Sequence, residues 1–315
     1  MPNQLYPILF MLCSTFSLSL SGLLSKPLAQ QIDANVLGFL RFFIPAGLIF
    51  AISFTRKLRL PRGSMWPSLI IRGVCIAASQ LCFLYSLQHL TLVESVVLFS
   101  TGPLFIPLLE RVFFTRKIGG LSILALVVTF YGVVLLSGGI TTIAFKPELM
   151  IGLAAGLFNA GSQLSLYRAS KGQLNAFEIN FWTFLCASGL LLPMASTHIW
   201  SAAYDFNQWT FSDTQWLLVA MLGALSLLII NTQIFRSKAY KLVDSSSQLA
   251  PLIFTNLVFT AIWQWLFFDD QFNQWQLIGL AMIVSANIVN VMLPVVWPAL
   301  KRACDHYHHR FGHSS

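Results

Sequence analysis

Charge is scarce in this chain. Only 10% of its 315 residues are Asp, Glu, Lys or Arg, against 56% hydrophobic, and the mean hydropathy is +0.72. A soluble domain carries about a quarter charged residues, so that class is excluded and a membrane-embedded chain is expected. Acidic residues are scarcer than basic ones, eleven against nineteen, for a net charge of +8. The five cysteines (Cys13, Cys75, Cys82, Cys186, Cys304) form no CxxC and four lie in apolar segments, which supports neither a disulfide framework nor a zinc site. HExxH, GxSxG and GxxxxGK-S/T are missing, as is any pair of membrane-embedded aspartates, so no enzyme and no ATP-driven pump is expected. The leader MPNQLYP lacks Lys and Arg, and the first apolar run reads as a retained helix rather than a signal peptide.

What the chain has is apolar length. A helix needs about 20 apolar residues to cross roughly 30 Å of hydrocarbon. Counting such stretches between polar breaks predicts ten spans: Tyr6–Leu24, Val36–Phe54, Ser68–Leu87, Leu92–Phe114, Leu121–Ser137, Met150–Tyr167, Phe177–Ala195, Trp216–Phe235, Ser247–Phe268 and Trp275–Trp297. The links are short, the longest running from about Ser196 to Gln215, so no attached soluble domain is expected.

Lys and Arg accumulate on the cytoplasmic side of membrane proteins. With the N-terminus inside, the basic residues from Arg56 to Arg72, from Arg111 to Lys117, Arg168 and Lys171, from Arg236 to Lys241, and from Lys301 to Arg310 all fall inside. Lys26 and Lys146 fall outside, and Arg41 alone is assigned to a span. The opposite loops carry Asp33, Glu148, Asp205, Asp213, Asp269 and Asp270. Both termini are thus expected in the cytoplasm, in a multi-pass protein of the cell (inner) membrane. The positive charge is explained by topology, and no nucleic-acid partner is expected.

Five spans per half make the second half cross in the opposite sense. A shift of 154 residues lays FFTRKIGGLSILAL from Phe113 over FFDDQFNQWQLIGL from Phe267, so that Arg116 and Lys117 face Asp270 and Gln271. The expected division is 1–144 for the first five-helix repeat, 145–298 for the second, and 299–315 for a basic, His-rich cytoplasmic tail. His306, His308, His309 and His313 in that tail lack Cys or carboxylate partners, and no metal site is expected.

Four stretches then carry a resemblance: FLRFFIPAGL from Phe39, SLQHLTLVESVVLFSTGPLFIPLLERVFF from Ser86, GLAAGLFNAGSQLSLYRASKG from Gly152, and AYKLVDSSSQLAPLIFTNLVFTAIWQWLFFDD from Ala239. The chain resembles the ten-helix drug/metabolite transporter superfamily, in particular its EamA-like branch, over nearly its whole length. Asp269 and Asp270 stand where that family usually has Gly-Glu, and Thr115 and Arg116 replace the equivalent pair in the first half. The resemblance implies an all-α polytopic membrane protein, with two inverted five-helix repeats around a central cavity that opens alternately to either side. It implies transport of amino acids, their derivatives, nucleotide-linked metabolites or drugs, more often outward than inward.

Buried polar side chains are costly in hydrocarbon, so those at mid-depth mark a wet pathway or interhelical hydrogen bonds. Gln80, Ser100, Thr101, Asn159, Gln163, Thr255 and Asn256 recur at similar depth in both halves and are the expected chamber lining. Arg41 is a candidate for gripping a carboxylate or for pairing with Glu94, and Glu94 for a helix cap or for a proton site. Asp244 suits a cap at the inner face. Trp182 and Trp263 lie deep enough to stack on a solute. Pro103, Pro107 and Pro251 are candidate elbows of bent helices, and GLAAG from Gly152 permits close helix contact. The expected function is secondary transport of a small polar metabolite such as an amino acid or a derivative, by an exporter or exchanger, monomeric or homodimeric, without cofactor and with proton coupling open. An intramembrane enzyme, or a receptor or scaffold that moves no solute, is the alternative.

Overall fold

The backbone polar groups of a chain this apolar can be satisfied in lipid only within helices or a closed barrel, and among the described residues the structure is helical with no strand. The structure, a computed structural model, describes residues 5–53, 58–102, 104–106, 108–109, 120–136, 147–204, 213–243, 249–253, 255–268, 273–275, 277–286 and 288–289. Its helices are α1 Leu5–Gln31, α2 Ala34–Ile52, α3 Trp66–His89, α4 Leu92–Phe99, α5 Gly120–Leu136, α6 Pro147–Ser170, α7 Ala176–Tyr204, α8 Asp213–Leu242, α9 Ala250–Ile253, α10 Thr255–Phe267 and α11 Leu277–Ala286. Six helical stretches, those of α1, α2, α3, α6, α7 and α8, are long and apolar enough to cross a membrane. Leu92–Ile106, Ile123–Gly132 and Leu277–Ala286 are shorter apolar helices, so the structure supports a polytopic membrane protein. Large apolar side chains such as Phe43, Leu124, Leu217 and Trp265 are exposed on the outside, where lipid would cover them. Pro103, Pro107, Asp244 and the tail 299–315 lie outside the described residues.

Local chemistry sets the helix starts. Asp33 caps α2, its Oδ1 accepting from the backbone N–H of Asn35 at 2.8 Å. Thr91 and Glu94 form a capping box on α4, and Asn175 and Glu178 cap α7 in the same reciprocal manner. The fourth helix is interrupted at Ser100–Thr101. There the Thr101 hydroxyl donates back to the Leu98 carbonyl at 2.6 Å, and Thr255 at the start of α10 donates likewise to Leu252 at 2.7 Å. Such back-bonding competes with the helical ladder and bends the chain.

The most extensive helix contacts cross between the two halves of the chain: α3 with α6, α1 with α8, and α2 with α7. All three pairs are antiparallel. On α3 and α6, Ser79 donates to the Ala155 carbonyl at 2.8 Å, while Gly161 lies against Cys75 and Gly152 against Ser86. On α1 and α8, Phe10 meets Phe235, Ser14 meets Thr232 and Ser17 meets Asn231. On α2 and α7, Phe42 meets Phe184 and Phe50 meets Phe181. Arg59, before α3, forms an ion pair with Glu178 at the start of α7 (3.2 Å), and Lys171 donates to the Val243 carbonyl past the end of α8, so these segments share one end of the bundle. Lys26 donates to the carbonyls of Leu87 and Leu90 at the other end. It follows that α1 and α6 run in opposite directions.

Three basic residues sit differently from the loop count. Lys26, Arg72 and Arg236 are all buried, so Arg41 is not the lone buried cation. The reason for Lys26 and Arg236 is helix length: α1 continues to Gln31 and α8 to Leu242, each about a turn or more beyond the predicted spans. Arg72 turns inward because three side-chain oxygens on α7 and α8 accept its protons.

Candidate functional site

Helix α1 contributes a stripe of small hydroxyls, Ser14, Ser17, Ser21 and Ser25, at helical three- and four-residue spacing and all buried. Small residues let neighbouring backbones approach closely, and α1 touches α8, α10, α3, α4 and α2. Beside it lies a narrow hollow with three lobes that share Leu18. The first is lined by Phe99, Ser100, Gly102, Ile106, Asn159, Gln163, Arg236 and Ile253. The second is lined by Ser21, Arg41, Gln80, Thr232 and Gln233 with apolar neighbours, and the third by Ser21, Arg41, Gln80, Phe99 and Asn256 with apolar neighbours. The lobes measure about 10, 20 and 20 Å³, room for a water molecule and too little for a metabolite. The hollow is closed in this conformation.

Six expected site residues meet there: Arg41, Gln80, Ser100, Asn159, Gln163 and Asn256. The other four are employed elsewhere. Thr101 and Thr255 bond back to the carbonyls of Leu98 and Leu252, Thr255 also sharing a hydrogen bond of 2.8 Å with Thr15. Glu94 Oε2 accepts from the N–H and hydroxyl of Thr91 at 2.9 and 3.0 Å. Trp263 donates to Ser19 at 3.1 Å and packs on Phe16 and Phe267. Trp182 is occupied too, donating to the Arg59 carbonyl at 3.1 Å. Arg41 donates to Ser25 rather than to Glu94. Pro251 lies in the short helix α9.

The polar wall of the first lobe is a relay: Tyr240 donates to Gln163 Oε1 at 3.2 Å, and Gln163 Nε2 donates to Asn159 Oδ1 at 3.2 Å. Behind it stands Arg72, whose Nη2 donates to Asn180 at 2.9 Å and Gln233 at 3.1 Å and whose Nη1 donates to Thr183 at 3.2 Å. Buried side-chain atoms without a hydrogen-bond partner concentrate around the hollow: Arg41 Nε, Gln80 Oε1, Thr232 Oγ1, Asn256 Oδ1, and Nε and Nη2 of Arg236. Left dry, each costs about 1–3 kcal/mol. A site that binds water or a polar solute in another step of its cycle recovers that cost.

Sequence reasoning missed Ser21, Thr232, Gln233 and Arg236 in this lining. The serine stripe was visible as Ser14-x-x-Ser17-x-x-x-Ser21-x-x-x-Ser25 in an otherwise apolar run, and Asn231-Thr232-Gln233 as a polar triplet inside the eighth span. Arg236 gave no signal, because one residue past a predicted span end it looks like any flanking charge.

A family model described as the EamA-like transporter family matches the chain twice, over residues 5–138 and 146–292. The chain belongs to the EamA-like transporter family. It thus carries two EamA domains, joined across the interval 139–145. The EamA-like chain is 25% identical over 281 residues to the pseudopaline exporter CntI of Pseudomonas aeruginosa strain UCBPP-PA14, covering 89% of this chain and 94% of that one. It is 23% identical over 265 residues to a riboflavin transporter of Brucella anthropi, covering 82% and 87%. A solved crystal structure superposes with a TM-score of 0.51 at 17% identity, covering 92% of this chain and 95% of the other, which shows a common fold. Relatives that are named for moving pseudopaline and riboflavin support a small-metabolite transporter rather than an enzyme.

Proposed function

We propose that this EamA-like protein is a secondary transporter that exports or exchanges a small polar metabolite, such as an amino acid or a derivative of one, by alternating access. The observation that carries this reading is the closed hollow between the halves, ringed by polar atoms that lack partners. A scaffold gains nothing from such atoms, whereas a transporter uses them when solute and water enter. The opposed directions of α1 and α6 support two inverted repeats, with the hollow at their interface. The broken fourth helix contributes to its walls through Ser100 and Gly102, α9 and α10 through Ile253 and Asn256, and the break suits an elbow that widens one mouth while narrowing the other. The end of the bundle carrying Arg59, Arg168, Lys171 and Lys241 is rich in basic residues, which supports placing it, and with it both termini, in the cytoplasm of a cell inner membrane.

The test is solute counterflow into liposomes holding the purified protein, screened by competition against a metabolite panel. Saturable exchange is expected. Replacing Gln80, Asn159 and Gln163 together by Ala is expected to reduce it at least tenfold at unchanged protein incorporation. Full exchange by the triple variant would remove the chamber from the pathway, and absence of exchange with every solute would favour a receptor or scaffold.

A further inference from the structure

Among the buried cations of the bundle, the three arginines differ in how far their protons are taken. Arg72, with no solvent exposure, has both terminal nitrogens committed to Thr183, Asn180 and Gln233 and only Nε without a partner. Arg41, 4% exposed, donates Nη1 to Ser25 and leaves Nε without a partner. Arg236, 2% exposed, leaves both Nε and Nη2 without a partner. Those two N–H groups lie on one edge of the guanidinium plane, parallel and about as far apart as the two oxygens of a carboxylate, which is the fork that carboxylates fill in bidentate pairs. Arg236 also lines the first lobe, together with Ser100, Asn159 and Gln163. No carboxylate among the described residues pairs with any of the three arginines; the Glu178 carboxylate is taken by Arg59.

A buried guanidinium without an anion is strongly disfavoured in hydrocarbon. Arg72 is near enough for its charge to interact with that of Arg236, which adds repulsion that an anion bound at Arg236 would relieve. The remaining polar wall of the lobe is neutral, amides and a hydroxyl, so it complements one negative charge on a polar body. We infer that Arg236 is the solute-anchoring group of the hollow and that its ligand is a carboxylate borne by the transported solute. Arg72 acts as a positioning residue that holds α3, α7 and α8 around it, while Arg41 Nε provides a second donor toward the opposite end of the hollow. This inference rests on the transport reading above and names the chemical class of its solute.

The guanidinium fork also accepts phosphate, so the test separates the two anions. The full chain, purified in lipid nanodiscs, is titrated by tryptophan fluorescence with propionate, succinate and N-acetylalanine, with their neutral amides propionamide, succinamide and N-acetylalaninamide, and with inorganic phosphate. Saturable binding of at least one acid is expected, with its amide at least tenfold weaker. Arg236→Gln should weaken that acid at least tenfold, and Arg236→Lys, which keeps charge without the fork, should fall between. Equal binding of acids and amides, binding of phosphate alone, no saturation by any acid, or wild-type acid affinity in Arg236→Gln would each overturn the assignment. Where Arg236→Gln does not fold, the acid-against-amide comparison on the unaltered chain decides. An acid that binds but is never exchanged in liposomes would remove the transport reading and leave the site. Exchange of neutral solutes without acid binding would do the reverse.

Discussion

Arg72 and Arg236 have the same chemistry and opposite surroundings, and the contrast predicts opposite mutational costs. Removing the Arg72 side chain deprives Thr183, Asn180 and Gln233 of their donor, and buried polar atoms left unmatched cost about 1–3 kcal/mol each. Arg72→Ala is expected to lower the stability of the purified protein by about 2 kcal/mol or more, read as a drop in the thermal midpoint in detergent. Removing the Arg236 guanidinium takes a donor from no described side chain, so Arg236→Gln should melt at or above the wild-type midpoint. Equal midpoints for Arg72→Ala and wild type would mean that the three acceptors find water instead. Gln80, Ser100, Asn159, Gln163 and Asn256 were legible as lining because an amide or hydroxyl at mid-span is too costly against lipid tails to face outward. Thr101, Thr255 and Glu94 were not distinguishable from them, since a polar atom that serves its own helix looks the same in a sequence as one that faces a cavity.

Helix by helix, the closest approach is made by glycine. A Cβ on Gly156 of α6 would come within 2.7 Å of the Leu98 carbonyl on α4 and would also strike the Thr101 hydroxyl, so α4 and α6 pack backbone to backbone there. Gly152, one turn earlier, meets Leu98 and Ser86. The GLAAG pair is therefore engaged inside the bundle. Gly156→Ala must push α4 away from α6, a kind of overpacking that costs about 1–3 kcal/mol, and it does so beside the helix break at Ser100–Thr101. A lowered thermal midpoint together with a loss of exchange is expected. Gly47→Ala is the matched control: a Cβ there meets nothing within 4 Å, and a helical glycine gains up to about 1 kcal/mol on becoming alanine. Should Gly156→Ala behave like Gly47→Ala in melting and in transport, close α4–α6 contact would not be needed. The long helices were legible from apolar length, but their ends were not. The Ser25-Lys26 and Arg236-Ser237 pairs read as span limits, yet α1 and α8 run past them: Lys26 finds the Leu87 and Leu90 carbonyls, and Ser237 accepts from Asn180 of α7.

For the molecule as a whole, the pattern of antiparallel pairs has a symmetry of its own. If helix k of the first half corresponds to helix k + 5 of the second, α3 with α6 is the image of α8 with α1, and α2 with α7 is its own image, which is the pattern an inverted repeat produces. The α1–α2 link and the α6–α7 link should then lie on opposite faces of the membrane. Cysteines introduced at Asp33 and Gln173, both exposed, in a background without native cysteines, test this with a membrane-impermeant maleimide. Intact spheroplasts are expected to label position 33 alone, and permeabilised cells both. Labelling of both positions from outside would contradict the inverted arrangement and, with it, access that alternates about the hollow.

Membrane residence and the all-helical class could be read from order and composition alone, and the transporter family from the resemblance its motifs carry. Apolar length and loop charge are properties of neighbours along the chain, and hydrocarbon thickness imposes them on every span separately. The identity of the cavity could not be read that way. Whether a buried guanidinium has both terminal nitrogens engaged, like that of Arg72, or is left with an open fork, like that of Arg236, depends on oxygens contributed by helices far away along the chain. Those oxygens take their places only when α7 packs against α3 and α8.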